Sequence, residues 1–371
     1  MIHGARLAAL LVAAWCATAC APAAFLPYRP EQPLTVTLPL AQAGVADARP
    51  EFAALFAAEL TAAGETRPAT WLHGAPSAGS AAALPPQLAA RFAARAGSTS
   101  VLVAGGLFGD CLGAQAVPFG DGVDRPLDRS TVESYQQYAD LGLRSIRLVA
   151  LPGRASSETN GRLLADAIRA EASQPGVQRI VLVGYSKGVP DALQALALLQ
   201  ADGGVPRQVV ALVSVAGVVM GTPLADYYRP AYDAVSPLVN PFECTPSQGD
   251  EVASVTRSAR IAWLAAHPPP PALTYYSIVA HAPLEDMAPP LRVPARQLAL
   301  IDPRNDGQLL ASDAILPGST LLAELRADHW DVALPRDRHP DLWMRALTSG
   351  RAYPREALFR AMLKWVVATA P

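Results

Sequence analysis

From residue 100 onward the chain repeats one pattern: a short, mostly apolar run, a turn, then a stretch with apolar residues three and four apart. The runs at 101–104, 146–151, 180–183, 209–215, 275–279 and 297–301 are apolar in both phases of a two-residue repeat, which predicts strands of a parallel sheet buried on both faces. Helices are predicted between most of them. Ser130-Thr131-Val132-Glu133 has the spacing of a capping box and would open one. Residues 160–172, with Leu163, Leu164, Ala167 and Ile168 on one face, predict a second. Residues 187–200 predict a third, in which Pro190 is tolerated because it falls in the first turn.

Ahead of this region the pattern is weaker. Residues 34–38 predict a strand, and Phe52, Leu55, Phe56 and Leu60 stand at helical spacing. Residues 21–33 and 74–98 are rich in Ala, Pro, Ser and Gly and read as surface connection. Residues 221–272 break the alternation with Pro, Tyr and Asn turns, a helix at about 252–266 and four consecutive prolines at 268–271. An insertion following a strand lies where open α/β sheets bind ligands. The expected class is α/β: a mostly parallel sheet with helices on both faces, a cap or lid inserted at about 221–272, and an N-terminal extension over 21–98 ahead of a main domain over 99–371.

Composition narrows the function. The 371 residues are 51% hydrophobic, and 30 Lys+Arg stand against 32 Asp+Glu, for a formal net charge of −2. That balance gives no basic face to neutralise a phosphate backbone, which excludes nucleic acid as a partner, and the apolar content excludes disorder for most of the chain.

Residues 1–20 read as a targeting segment: one cation at Arg6, an apolar run over 7–15, then small residues before a cysteine. It is too short to span a bilayer. Ala17-Thr18-Ala19-Cys20 resembles a bacterial lipobox, with Cys20 as the lipidated first residue; ordinary cleavage after a small residue is the competing account. Either way the protein is expected to be exported, as a periplasmic or cell-envelope lipoprotein held to a membrane by its N-terminal lipid or otherwise as a secreted protein. Outside the cytoplasm disulfides persist, and Cys111 and Cys244 are then a candidate pair. Closing so long a loop is worth about 5 kcal/mol in the chain-entropy account.

The chemistry concentrates at Ile180-Val181-Leu182-Val183-Gly184-Tyr185-Ser186-Lys187-Gly188, an apolar strand running into G-x-S-x-G and then a helix. This is the setting of a nucleophile elbow, in which a sharp turn lifts the serine and the glycines let strand and helix approach closely. A serine hydroxyl needs a base to take its proton and an acid to hold that base in one tautomer. Among six histidines, His3 lies in the targeting segment, His73 precedes the sheet, and His267 and His281 flank the strand leaving the insertion. His329 and His339 remain downstream, and His329, in Asp328-His329-Trp330-Asp331, is the better base. Upstream of it, Asp302 and Asp306 are both candidates for the acid. The oxyanion of the tetrahedral intermediate needs N–H donors. The backbone amide of Lys187 supplies one, and that of Leu107, in Gly105-Gly106-Leu107, is the candidate for the other. The Tyr185 and Lys187 side chains receive no chemical role.

Together these residues resemble the α/β-hydrolase superfamily, and within it bacterial lipases and esterases, over roughly residues 98–370. Thr274-Tyr275-Tyr276-Ser277, Asn305-Asp306-Gly307 and Asp328-His329-Trp330-Asp331 are similar to their strand and to their acid and histidine segments. The resemblance selects Asp306 over Asp302. It departs at Gly105, where these lipases often carry a histidine in the oxyanion loop. It implies that residues 221–272 cap an acyl pocket, with Tyr227, Tyr228, Tyr232, Leu238, Val239 and Phe242 either lining that pocket or forming the insertion's own core. The expected function is hydrolysis of a small-molecule or lipid carboxylic ester through an acyl-enzyme, by Ser186, Asp306 and His329, with no cofactor. Amide or peptide hydrolysis or acyl transfer on the same residues, and a non-catalytic binding module, are the alternatives. Oligomeric state is left open.

Overall fold

The computed structural model describes residues 44–65, 67, 70–74, 82–107, 138–235, 247, 250–334, 342–346 and 348–371. Within them, β1 (Ala46–Asp47), β2 (Thr99–Ala104), β3 (Ser145–Leu148), β4 (Arg179–Tyr185), β5 (Val209–Val215), β6 (Thr274–Ala280) and β7 (Thr320–Leu325) form one sheet. Its order is β1-β7-β6-β5-β4-β2-β3, and every neighbouring pair runs parallel. The period of two explains why the strands are apolar throughout. Val181 and Val183 enter one core cluster while Ile180 and Leu182 enter the other, on the opposite face.

The first cluster is covered by α1 (Arg49–Ala62), α2 (Pro86–Ala96) and the C-terminal α8 (Arg355–Thr369), whose Phe52, Phe56, Leu60, Phe359, Met362 and Leu363 are almost fully buried. The second is covered by α3 (Ser157–Ala172) and α4 (Gly188–Ala201) through Leu164, Ile168, Leu193 and Leu196. Leu163 is exposed, so the buried stripe of α3 turns instead through Asn160, Gly161, Leu164 and Ile168. Gly161 has a packing reason: a Cβ there would lie 2.4 Å from Gln194 Cγ of α4. Among the described residues no helix is long and apolar enough to cross a membrane.

Two expected elements are corrected. Residues 297–301 are not a strand. They close α7 (Arg292–Leu298) and the turn after it, with Leu300 and Ile301 exposed; a short apolar run does not by itself distinguish the end of a helix from a strand. The sheet's remaining strand is β7, Thr320–Leu325, whose run Thr-Leu-Leu-Ala-Glu-Leu is broken by a half-buried Glu324. Residues 86–96, expected as connection, form α2, which starts behind Pro85 and Pro86 and packs Leu88 and Phe92 against the core. Arg95 fixes its end by donating to the terminal carbonyls of Val367, Ala368 and Ala370, at 3.3, 3.1 and 2.7 Å.

The strand order sets the site's position. From β2 the chain steps outward to β3, then returns across β2 to β4, so the connections leaving β2 and β4 diverge and open a crevice at their carboxyl ends. The insertion after β5 contributes α5 (Pro223–Val235) and α6 (Arg257–Ala266). Residues 34–38, Ser130 to Glu133, the expected targeting segment with Cys20, and Cys111 and Cys244 lie outside the described residues.

Candidate active site

Ser186 sits at the end of β4 with φ +53°, a left-handed conformation that a non-glycine residue keeps only when its surroundings enforce it. They do so on three sides. Its N–H donates to Val215 O at 3.2 Å, and its carbonyl accepts from Val189 and Val218 at 3.2 and 3.1 Å. The glycines of the motif are required by close approach. A Cβ on Gly184 would lie 2.8 Å from the Val189 backbone, and one on Gly188 only 2.1 Å from Ala104 O. The start of α4 can therefore press against both its own strand and the loop after β2.

His329 lies in the turn beyond β7, and its ring bridges two of the expected partners. Nε2 is 2.9 Å from Ser186 Oγ, and Nδ1 is 2.6 Å from Asp306 Oδ2. A carboxylate only accepts, so Nδ1 carries the hydrogen and Nε2 is left to accept from the serine hydroxyl. All three residues are buried, at 6%, 2% and 1% exposure for Ser186, His329 and Asp306. Asp306 Oδ1 accepts from the backbone of Gln308 and Leu309 at 2.8 and 2.6 Å, and the His329 N–H donates to Asp306 O at 2.8 Å. Asn305 Oδ1 accepts from Gly307 N at 3.1 Å, and Gly307 has φ +88°. Asn-Asp-Gly is thus the chemistry of the turn that presents Asp306 to the imidazole.

The alternatives drawn from sequence are placed elsewhere. Asp302 is turned to Arg304, with Oδ2 2.9 Å from Nη2. Burial pushes its carboxyl up, but hydrogen bonds from the Arg304 side chain and backbone outweigh it and leave the carboxyl below its ordinary value. His73 and His281 stack on each other at 3.7 Å between ring centroids, and His267 stacks on Trp263 at 4.6 Å. His339 lies outside the described residues.

The oxyanion candidates bracket the serine. Lys187 is the N-cap residue of α4, so its N–H has no acceptor within the helix and stands at the positive end of the helix dipole. On the other side a Cβ on Gly106 would lie 3.1 Å from Ser186 Cβ, so the loop after β2 passes against the serine side chain one residue before Leu107.

The two side chains left without a role are structural anchors of the site. The Tyr185 hydroxyl donates to His329 O at 2.7 Å, and its ring lies 5.2 Å from the imidazole, fixing the histidine turn against the elbow. Tyr185→Phe leaves a buried carbonyl unpaired and is expected to cost about 1–2 kcal/mol of stability. A several-fold drop in turnover should accompany it; denaturant unfolding and steady-state kinetics check both, and an unchanged unfolding midpoint would remove this anchor. The Lys187 ammonium is buried and meets both oxygens of Asp191, at 2.8 and 2.9 Å. The i, i+4 spacing on a helix is the signal in the sequence that could have found this pair.

Asp328 organises the histidine turn from the other side, accepting from Ala288, Trp330 and Asp331 N–H groups at 2.7, 2.9 and 2.8 Å. Burial pushes its carboxyl up, against these three donors. Burial, together with the neighbouring Asp328, pushes Asp331 up to about 8.

The insertion is tied to the body next to the elbow. Arg260 Nε donates to Val219 O at 3.2 Å, and burial pushes this guanidinium down to about 10 against the pull of Asp191. Arg257 pairs with Asp313 at 3.0 Å. Tyr228 and Tyr232 donate to Gln297 and Glu251 at 2.9 and 2.7 Å, and both pack into the seam between insertion and body. Leu238, Val239 and Phe242 lie outside the described residues. Among the described residues no three His, Cys, Asp or Glu side chains gather in a way that could hold a metal ion.

No protein-family model matches the sequence, and no curated protein matches it. The structure is similar to that of the metagenomic carboxyl esterase MGS0156, with 27% sequence identity and a TM-score of 0.72 over 95% of this chain and 98% of that one. Two lipases overlap more loosely. The mature lipase BlEst2 of Bacillus licheniformis has 18% identity and a TM-score of 0.48 over 72% of this chain and 92% of its own. Lipase 1 from Pelosinus fermentans has 11% identity and a TM-score of 0.48 over 73% of this chain and 98% of its own. The all-parallel sheet and the near full-length likeness to the esterase give this chain the α/β-hydrolase fold.

Proposed function

We propose that this α/β-hydrolase-fold protein is an exported serine hydrolase of carboxylic esters that works through an acyl-enzyme. The observation that carries the reading is the buried relay from Ser186 Oγ through the His329 ring to Asp306, with contacts of 2.9 and 2.6 Å. The likeness to a carboxyl esterase over nearly the whole of both chains supports ester substrates. Ser186 Oγ attacks the ester carbonyl carbon as its proton passes to His329 Nε2, while Asp306 stabilises the imidazolium. The Lys187 and Leu107 amides receive the oxyanion, each worth about 3 kcal/mol in the barrier. His329 returns the proton to the leaving alcohol, and a water activated by the same ring releases the acid. The steps ask for no group beyond the chain's own side chains and backbone amides and the water that hydrolysis consumes. The proposal extends to residues 1–20 as a lipoprotein-type signal, with Cys20 as the lipid-bearing first residue, and to a Cys111–Cys244 disulfide.

One experiment tests these statements together. The protein purified from cell membranes should hydrolyse nitrophenyl esters far faster than nitroanilides and take up one fluorophosphonate per chain. Its intact mass should correspond to a lipidated chain beginning at Cys20 with no alkylatable thiol. A wild-type protein that neither labels nor hydrolyses any ester of the panel overturns the catalytic reading. An unlipidated N-terminus overturns the anchor, and two free thiols overturn the disulfide.

A further inference from the structure

The loop after β2 poses a mechanical difficulty. Gly105 and Gly106 precede the Leu107 amide, and two successive glycines carry the largest backbone freedom a chain has, whereas an oxyanion donor accelerates the reaction only when held in place beforehand. Neither glycine has a side chain to fasten the loop. Against it lies a cavity of about 10 Å³, lined by Gly105, Gly106, Leu148, Leu151, Pro152 and Asn160, among others. That is room for about one water.

Asn160, in the first turn of α3, is 2% exposed. Its Nδ2 donates to Asp191 Oδ2 at 2.7 Å and to Pro152 O at 3.1 Å, which uses both amide hydrogens. Because a carboxylate and a carbonyl only accept, the orientation of the amide is fixed by chemistry. Oδ1 is then the polar atom of this side chain left over, and it is buried with no hydrogen-bond partner among the described residues. Leaving it so costs about 1–3 kcal/mol, which a water donating to it would offset. The same Asp191 carboxylate is gripped by the Lys187 ammonium at 2.8 and 2.9 Å.

We propose that Asn160 holds one water in this cavity, that the water bonds the Gly105–Gly106 backbone, and that Asn160 is thereby a positioning residue for the oxyanion loop. One buried chain, from Lys187 through Asp191 and Asn160 to the water, then joins the two segments that supply the oxyanion donors. It sets their separation without touching substrate. The inference rests on the oxyanion roles proposed above and adds what holds one donor in register with the other.

The test compares Asn160→Leu, which keeps the volume and removes the amide, with Asn160→Ser, whose hydroxyl leaves space for a water. Asn160→Leu is expected to lower kcat about 10–100-fold, less than or comparable to deleting a donor outright, with KM within about twofold. Affinity for a boronic acid, which forms a tetrahedral adduct on the serine, should fall by the same factor while affinity for the planar product acid holds. Asn160→Ser should recover part of both. A folded Asn160→Leu with wild-type kcat, or one whose losses in kcat and product affinity are equal, overturns the proposal. If the variants do not fold, a high-resolution crystal structure of the wild type decides. A water within hydrogen-bond distance of Asn160 Oδ1 and the Gly105 or Gly106 backbone supports it, and a dry cavity overturns it. A wild type without esterase activity instead sinks the function itself, and the crystal structure still reads the water.

Discussion

Ser186→Ala is expected to abolish covalent labelling and to lower kcat for nitrophenyl esters by about a million-fold, with the fold intact and substrate still bound. The magnitude follows from the interdependence of the three residues: once the nucleophile is gone, the base and acid have nothing to activate, and only the oxyanion donors and binding remain. The backbone at this position adds a second expectation. Ser186 is held at φ +53°, where any side chain with a Cβ crowds the neighbouring carbonyl at a cost of about 1–2 kcal/mol. Ser186→Gly removes that cost and should be equally inactive but more stable than Ser186→Ala by about 1 kcal/mol, because a glycine in the unfolded chain returns part of the gain. Rates within tenfold of wild type in either variant would rule out Ser186 as the nucleophile. Equal unfolding free energies would instead mean that the elbow stores no strain.

What the chain reveals of itself depends on how local the cause is. The six-residue and seven-residue strands β2, β4 and β5 were legible because each is buried on both faces, so apolarity runs unbroken through Val101–Val103, Ile180–Val183 and Val209–Val213. Asp306 was chosen over Asp302 only through the resemblance of Asn305-Asp306-Gly307 to a lipase segment, and the structure supplies a local reason for that segment, since Asn305 and Gly307 are demanded by the turn itself. β7 was not, since Glu324 sits in its run and answers to Arg49 and His281, partners far away in sequence. α2 was hidden because prolines at 85 and 86, which read as a loop, here start a helix. The Lys187–Asp191–Asn160 chain was not read: the helix spacing of Lys187 and Asp191 is a local signal that could have found one pair, but Asn160 arrives on α3, across a contact that Gly161 makes possible. Tyr185 gave no sign at all, because its hydroxyl bonds a backbone carbonyl 144 residues on.

Asp306→Asn is expected to lower kcat by about ten-thousand-fold with little change in KM, whereas Asp302→Asn should stay within a few-fold of wild type. The substitution keeps size and shape, so the effect must come from hydrogens. In Asp306, Oδ1 accepts from Gln308 and Leu309 N–H groups and Oδ2 accepts from the imidazole. An asparagine must give its single carbonyl oxygen to one of these sets. The two backbone donors are fixed in the turn and would be left unpaired by the amide nitrogen, so the oxygen faces them and the NH2 faces His329 Nδ1. Nδ1 must then accept, which moves the ring hydrogen to Nε2, where it points at Ser186 Oγ and blocks proton transfer. Asp302 has no such leverage, because its oxygens are occupied by Arg304. Kinetics of the two variants on the same ester decide the matter. A large loss in Asp302→Asn with near-normal turnover in Asp306→Asn would reassign the acid, and losses of equal size would show that the turn, rather than the tautomer, is what the mutations disturb.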